Sequence, residues 1–157
     1  MPYFRPATGT DVLQYFEWAN EASTRQQSYS SQTIPYSDHL RWFEQKLASP
    51  NTKMYVLCED QTNVAVGQIR FELQADNTYA IVGYAIGEAH RGKGYGRFIL
   101  GEGILFFVQK WQKTITIVGF VKNSNKASQR LFLQLGFVAM STTDYPDSIR
   151  FEKLYGV

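Results

Sequence analysis

The sequence predicts a mixed α/β (α+β) domain, with a seven-stranded, mostly antiparallel sheet flanked by about four helices. Three observations carry this reading. The apolar residues run in the order β-α-α-β-β-β-α-β-α-β-β. The chain has 157 residues, enough for one well-buried core and too few for two ordinary domains. A glycine-rich loop, Arg91-Gly92-Lys93-Gly94-Tyr95-Gly96, falls between an apolar strand-like run and a long apolar helix-like run. No Pro, Gly or Ser cluster, repeat or low-complexity stretch divides the chain, so residues 1–157 read as a single domain.

The elements follow in order. A short strand begins over Tyr3 to Pro6, and Thr10 to Ala22 reads as a helix with Leu13, Phe16 and Trp18 among its apolar residues. A Ser- and Gln-rich loop separates it from a second helix over Ser37 to Ala48, with Leu40, Phe43 and Leu47 inward. Met54 to Glu59, Val64 to Leu73 and Tyr79 to Ile86 are strands joined by polar turns, which makes an antiparallel meander. After the glycine loop, Leu100, Ile104, Phe107 and Trp111 recur at spacings of four and three, the stripe of a buried helix. Thr114 to Val121 is a β-branched strand, and a last helix runs from about Asn125 to Leu135. Strands near Phe137 to Thr142 and Ile149 to Leu154 close the chain.

A strand, a glycine turn and a helix start form a cradle for an anion. Glycine lets the backbone approach closely, and the helix start offers unpaired N–H groups and the positive end of its dipole. Arg91 and Lys93 add full charges, so the expected cargo is a nucleotide or coenzyme pyrophosphate. A phosphate-binding P-loop would place Ser or Thr after a Lys, whereas Gly96 is followed by Arg97 and Phe98. The dinucleotide fingerprint fails as well, because its third glycine would fall at Ile99.

Downstream, Asn125-Lys126-Ala127-Ser128 leads into Gln129-Arg130-Leu131-Phe132-Leu133-Gln134-Leu135-Gly136-Phe137. Ser124 or Asn125 can cap this helix, and Gly136 can end it. Arg91, Gly94 and Gly96 together with this segment resemble the Arg-x-x-Gly-x-Gly and Asn-x-x-Ser-x-x-x-aromatic-x-x-x-Gly-Phe signatures of the GCN5-related N-acetyltransferases (GNAT). The resemblance spans essentially the whole chain and implies the GNAT fold, acetyl-CoA as cofactor and transfer of acetyl to a primary amine. It implies that Gly92, Lys93, Tyr95 and Arg97 join Arg91, Gly94 and Gly96 at the pyrophosphate, and that Asn125 reaches the pantetheine arm beside Ser128 and Phe132. It further implies that the strands ending at Ile86 and starting at Thr114 splay apart to admit that arm, with a backbone N–H near Tyr84, Ala85, Ile86 and Gly87 for the oxyanion.

The match departs from the family where the chemistry sits. Many members carry a Tyr as general acid at the position of Phe132, and several carry a Glu base at the position of Ile81. A thiol of pKa about 8.5 leaves with little help, so activity does not require that Tyr. Tyr84, Ser128 and Tyr145 are the candidate acids, and Glu72 and His39 the candidate bases. For each, a packing or solvated role stands as the alternative.

The acceptor is read from the N-terminal half. Trp18-Ala19-Asn20, Arg25, Ser28, Ser30, Ile34, His39, Trp42 and Phe43 resemble a subgroup that acetylates nucleotide-linked amino sugars of the pseudaminic acid type. The resemblance implies that Arg25 pairs with a diphosphate, that His39 bonds a hydroxyl, and that Ser28, Trp42 and Phe43 contact the sugar nucleotide. At least one of Trp18, Trp42 and Phe43 is expected in the core. A ribosomal-protein-type peptide N-terminal acetyltransferase and a non-catalytic acyl-CoA-binding sensor remain alternatives. A polyamine acceptor would call for a denser acidic patch than this chain shows.

The formal net charge of +2 gives no support for nucleic-acid binding. No leader and no apolar run of spanning length is visible, so no membrane association and a cytoplasmic location are expected. Cys58 lies in an apolar run without a partner and is expected as a buried, inert thiol. No metal is expected, and the resemblance leaves a homodimer open.

Overall fold

A computed structural model describes residues 1–156. Its seven-stranded sheet has the order β1-β2-β3-β4-β5-β7-β6, from β1 (Tyr3–Pro6), β2 (Thr52–Cys58), β3 (Ala65–Gln74), β4 (Tyr79–Ile86), β5 (Ile115–Lys122), β6 (Val138–Ser141) and β7 (Ser148–Tyr155). Among the described residues only β4 and β5 pair in parallel. Alternation decides which residues point where, since successive strand residues face opposite sides. In β3, Ile69, Phe71 and Leu73 are buried on one face, and Gln68, Arg70 and Glu72 stand on the other.

Helices cover both faces. On the Ile69 side lie α4 (Tyr95–Trp111) and α5 (Lys126–Gln134), and Leu100, Ile104 and Phe107 of the former are in the main core as their spacing predicts. On the Gln68 side lie α1 (Val12–Ala19) and α3 (Tyr36–Ala48), which bury Tyr15, Trp18 and Phe43 over Met54, Val56 and Cys58. Cys58 is buried and free. No helix is long and apolar enough to cross a membrane among the described residues.

Two expectations are corrected. The helix read as continuous from Thr10 to Ala22 is a 3₁₀ turn at Gly9–Asp11 followed by α1, in which Leu13 is exposed and Tyr15 takes the buried place. Part of the Ser- and Gln-rich loop is a further helix, α2 (Ala22–Gln27), raising the α-helix count to five among the described residues. Its six residues bury none of their number, so no apolar stripe signals it.

The β4–β5 pairing covers only Tyr79↔Thr116, Ala80↔Ile117 and Ile81↔Val118, after which the strands part. Phe132 of α5 lies over that point. Its ring is buried against Phe151 at 5.2 Å and Phe137 at 4.9 Å, and a Cβ at Gly119, the residue after the last pair, would come within 2.4 Å of it. Gly119→Ala is therefore expected to destabilise the fold by about 3 kcal/mol through overpacking, and Phe132→Leu in the same chain to recover part of the loss, both read from denaturant midpoints. An unchanged midpoint would mean that Phe132 swings aside freely.

Candidate functional site

Two cavities open on the sheet. One, of about 540 Å³, runs along the splayed strands and is lined by Val82 to Ile86, Phe120 to Lys122, the glycine loop, Asn125, Ser128 and Phe132. Hydrogen-bond alternation fixes what β4 offers there. Gly87 donates to Val66 O of β3 at 2.9 Å, so Ala85 and Gly83, in phase with it, also face β3. Val82, Tyr84 and Ile86 turn their N–H groups to the opposite edge, where β5 has departed. Of the expected oxyanion donors, Tyr84 and Ile86 thus qualify, whereas Gly87 and Ala85 are committed to β3.

The glycine loop leads into α4. Gly92 and Gly94 have φ of +78° and +83°, and a Cβ on either would meet nothing within 4 Å, so the loop is bare on its outer side. Phe98 N–H closes the first helical bond onto Gly94 O, leaving the N–H groups of Tyr95, Gly96 and Arg97 without intrahelical partners. This is an anion cradle that fits a coenzyme pyrophosphate. The side chains around it act differently from expectation. Arg91 donates to Ile86 O and to Ser23 Oγ and pairs with Glu21, so its guanidinium ties the loop to α2 rather than standing free for phosphate. Tyr95 lines the cleft with its hydroxyl on Glu59, and Arg97 bridges to Gln134 of α5. Lys93 is exposed at the loop tip.

Asn125 caps α5, its Oδ1 accepting from Ser128 N–H at 3.2 Å. Its side-chain amide N–H groups are left for the cleft. One turn on, Ser128 Oγ lies 2.8 Å from the Tyr84 hydroxyl, and either oxygen can donate. Two residues read separately from the sequence as candidate acids are thus one hydrogen-bonded pair. Burial pushes the Tyr84 phenol above its ordinary pKa, outweighing the bond from Ser128, so it stays protonated at neutral pH. Phe132 stands on the same face of α5 one turn beyond Ser128, so the hydroxyl missing from Phe132 arrives from the facing strand.

The second cavity, of about 550 Å³, lies on the other face of the sheet. Its floor is Gln68 and Arg70 of β3 with Gly83 and Ala85 of β4; its walls include Trp18, Arg25, Ser28, Ile34, His39 and Trp42. It meets the first at Thr24, Ser28 and Gly83 to Ala85. A reactant in each would come together beside Tyr84.

Several expected acceptor residues build this wall. Asn20 clamps Ile34 through two bonds of 3.0 and 2.7 Å. Arg25 donates to the carbonyls of Ala19, Ser30 and Gln32 and to Ser28 Oγ, which uses four of its five N–H groups. It is a knot holding the segment after α2, and one N–H remains for an acceptor. Arg25→Ala is expected to cost about 3 kcal/mol of stability and to raise the KM for both reactants, because α2 walls both cavities. A rise confined to the acceptor, with unchanged melting, would restore the diphosphate role read from the sequence.

His39 is 3 % exposed, with Nε2 3.2 Å from Val12 O. Burial lowers its pKa, so it is neutral at pH 7, donating through Nε2 and keeping its lone pair on Nδ1. Trp42 lines the cavity, but Phe43, 1 % exposed, is in the core and lines neither. Glu72 pairs with Lys46 and lines neither cavity, and Ile81 points no acid into them. Gln68, Arg70, Tyr15 and Thr24 were not singled out by sequence. For Gln68 and Arg70 the alternation of β3 was the one signal, and it reads equally as a solvated face.

Residues 3–138 match the family model described as "Acetyltransferase (GNAT) domain". No curated protein matches the chain. Among solved structures, a spermidine N-acetyltransferase from Vibrio cholerae in complex with CoA and spermine is similar at 15 % identity and TM-score 0.85, over 98 % of this chain and 95 % of that one. A domain from Methanocaldococcus jannaschii is similar at 18 % identity and TM-score 0.84, over 99 % of each chain. The aminoglycoside acetyltransferase AAC(6')-Ib, in complex with ribostamycin and coenzyme A, is similar at 15 % identity and TM-score 0.80, over 99 % and 93 %. At these identities the likeness is one of fold.

Proposed function

Because the chain belongs to the GNAT acetyltransferase family and is an acetyl-CoA-dependent N-acetyltransferase, we propose that its acceptor is the amino group of a nucleotide-activated amino sugar. The observation that carries this reading is the charge of the acceptor cavity. Arg25 and Arg70 line it against one carboxylate, Asp38, which is exposed and lies 4.0 Å from Arg41. The neighbours named above bind spermine and aminoglycosides, which are polycations, and two guanidinium groups repel such a molecule. An amine attached to an anionic group suits them. Trp18 and Trp42 add apolar surface for a sugar or base.

Bound acetyl-CoA supplies a thioester that an amine can attack. The bare glycine loop and the N–H groups opening α4 bind its pyrophosphate, the free edge of β4 and the Asn125 amide hold its arm, and the N–H of Tyr84 or Ile86 faces the developing oxyanion. Nδ1 of His39 takes the proton of the attacking amine, through water, and the Tyr84 hydroxyl, steadied by Ser128, gives one to the departing sulfur. These assignments rest on the hydrogen-bond pattern and on the neutral forms of both side chains.

The test is acetyl transfer, followed by mass spectrometry, from acetyl-CoA to UDP- and dTDP-linked amino sugars beside spermidine, an aminoglycoside and a set of N-terminal peptides. Acetylated sugar nucleotide is the expected product. Transfer to peptides alone would replace the reading with a peptide N-terminal acetyltransferase, and transfer to the polycations alone would overturn the charge argument.

A further inference from the structure

Arg70 is the one guanidinium of the acceptor cavity that the protein leaves unbonded. Among the described residues no carboxylate or carbonyl receives it; it lies over the Trp42 ring, 5.4 Å from the centroid, and against Gly83, where a Cβ would come within 3.2 Å of its central carbon. Trp42 holds the fork flat, and glycine at position 83 gives it room on the cavity floor. Arg70 pairs with Gly83 across the strands, and Gln68 pairs with Ala85. Gln68 Oε1 is buried and has no hydrogen-bond partner among the described residues. The floor therefore presents an unfilled acceptor atom beside the meeting point of the cavities and an unfilled cation two residues along the strand.

Unpaired buried polar atoms are uncommon in native structures, and each calls for an explanation. Buried Gln68 Oε1 and the half-buried Arg70 fork are complementary in kind. Gln68 Oε1 accepts from an N–H or O–H, and the Arg70 fork receives two oxygens of an anion. Resting on the acetyl-transfer reading of the same site, we propose that Arg70 is the specificity-determining anchor for an oxyanion of the acceptor, with Gln68 receiving the amine end. Their Cα atoms lie roughly 7 Å apart along the strand, with both side chains on the same face. An α-amino acid, whose amine and carboxylate share one carbon, is too short to satisfy both. An amine separated from a phosphate or carboxylate by a sugar ring or a comparable chain spans them.

The experiment is calorimetric titration of the CoA-saturated protein and its Arg70→Gln and Arg70→Lys variants with glucosamine 6-phosphate, glucosamine, UDP and 6-aminohexanoate. The wild type is expected to bind glucosamine 6-phosphate at least tenfold more tightly than glucosamine, Arg70→Gln to lose that preference, and Arg70→Lys to keep part of it because it retains charge without the fork. Melting curves of each variant identify one that has not folded, and the Lys variant then reads the effect alone. Equal binding of the two sugars by the wild type with no preference for 6-aminohexanoate, or a preference that survives Arg70→Gln, overturns the anchor. Preference for 6-aminohexanoate alone, lost in Arg70→Gln, keeps the anchor and removes the sugar-nucleotide reading. Acetylation of a sugar nucleotide that is indifferent to Arg70 does the reverse.

Discussion

Tyr84→Phe is expected to lower kcat for acetyl transfer about 100-fold while leaving the KM for acetyl-CoA within twofold. The phenol is held by burial in its protonated form and bonded to Ser128 Oγ at 2.8 Å, in the cleft proposed to hold the thioester. Phenylalanine keeps the packing against Phe132 and removes only the hydroxyl with its bond to Ser128. Ser128→Ala should cost about tenfold, since the phenol remains and only its orientation loosens. A kcat unchanged in Tyr84→Phe would show that the sulfur leaves unprotonated, and the Tyr84–Ser128 pair would then be a packing contact. A pH profile separates the cases further. If the phenol is the acid, the wild-type rate falls as pH rises through the phenol's raised pKa, and Tyr84→Phe removes that fall.

Gly94→Val is expected to raise the KM for acetyl-CoA about 100-fold with little change in kcat at saturation. The residue sits at φ +83°, a conformation that a β-branched side chain adopts only under strain of about 1–2 kcal/mol, so melting should fall by a few degrees without loss of fold. Nothing in the protein lies within 4 Å of the new Cβ, so the side chain projects into the space the pyrophosphate would fill. Gly94→Ala should fall between the two. Unchanged affinity in a folded Gly94→Val protein would move the pyrophosphate elsewhere.

The cofactor half of this molecule was legible in the sequence, because its chemistry is backbone chemistry. Gly92 and Gly94 are glycine for their left-handed φ, Asn125 caps the helix it starts, and the strand from Tyr79 to Ile86 has the bounds its apolar run implies. The acceptor half was legible only in part. Arg25 stood out as a charge among polar residues, yet its donors serve the carbonyls of its own loop, a partnership decided by the path of residues 28–34. Arg70 carried no motif. In an alternating strand its charge reads as ordinary solvent exposure, and only the docking of α1 and α3 over that face turns it into the floor of a cavity. The pairing of Tyr84 with Ser128, 44 residues apart, likewise exists only because α5 packs under the opened strands.

The ring of Phe132 over Gly119 has a thermodynamic consequence for cofactor capture. The strands part beyond Ile81 and Val118 with Phe132 packed over Gly119, so a pantetheine arm entering there would not have to melt paired backbone to find its place. Preorganisation of this kind removes a reorganisation cost that would otherwise be subtracted from the contact energy. It would also treat donor and product alike, since the proposed slot takes the arm and not the acetyl group. Free CoA should therefore compete with acetyl-CoA at nearly equal affinity, and the ratio of the two in solution, more than the concentration of either, would set the pace of turnover.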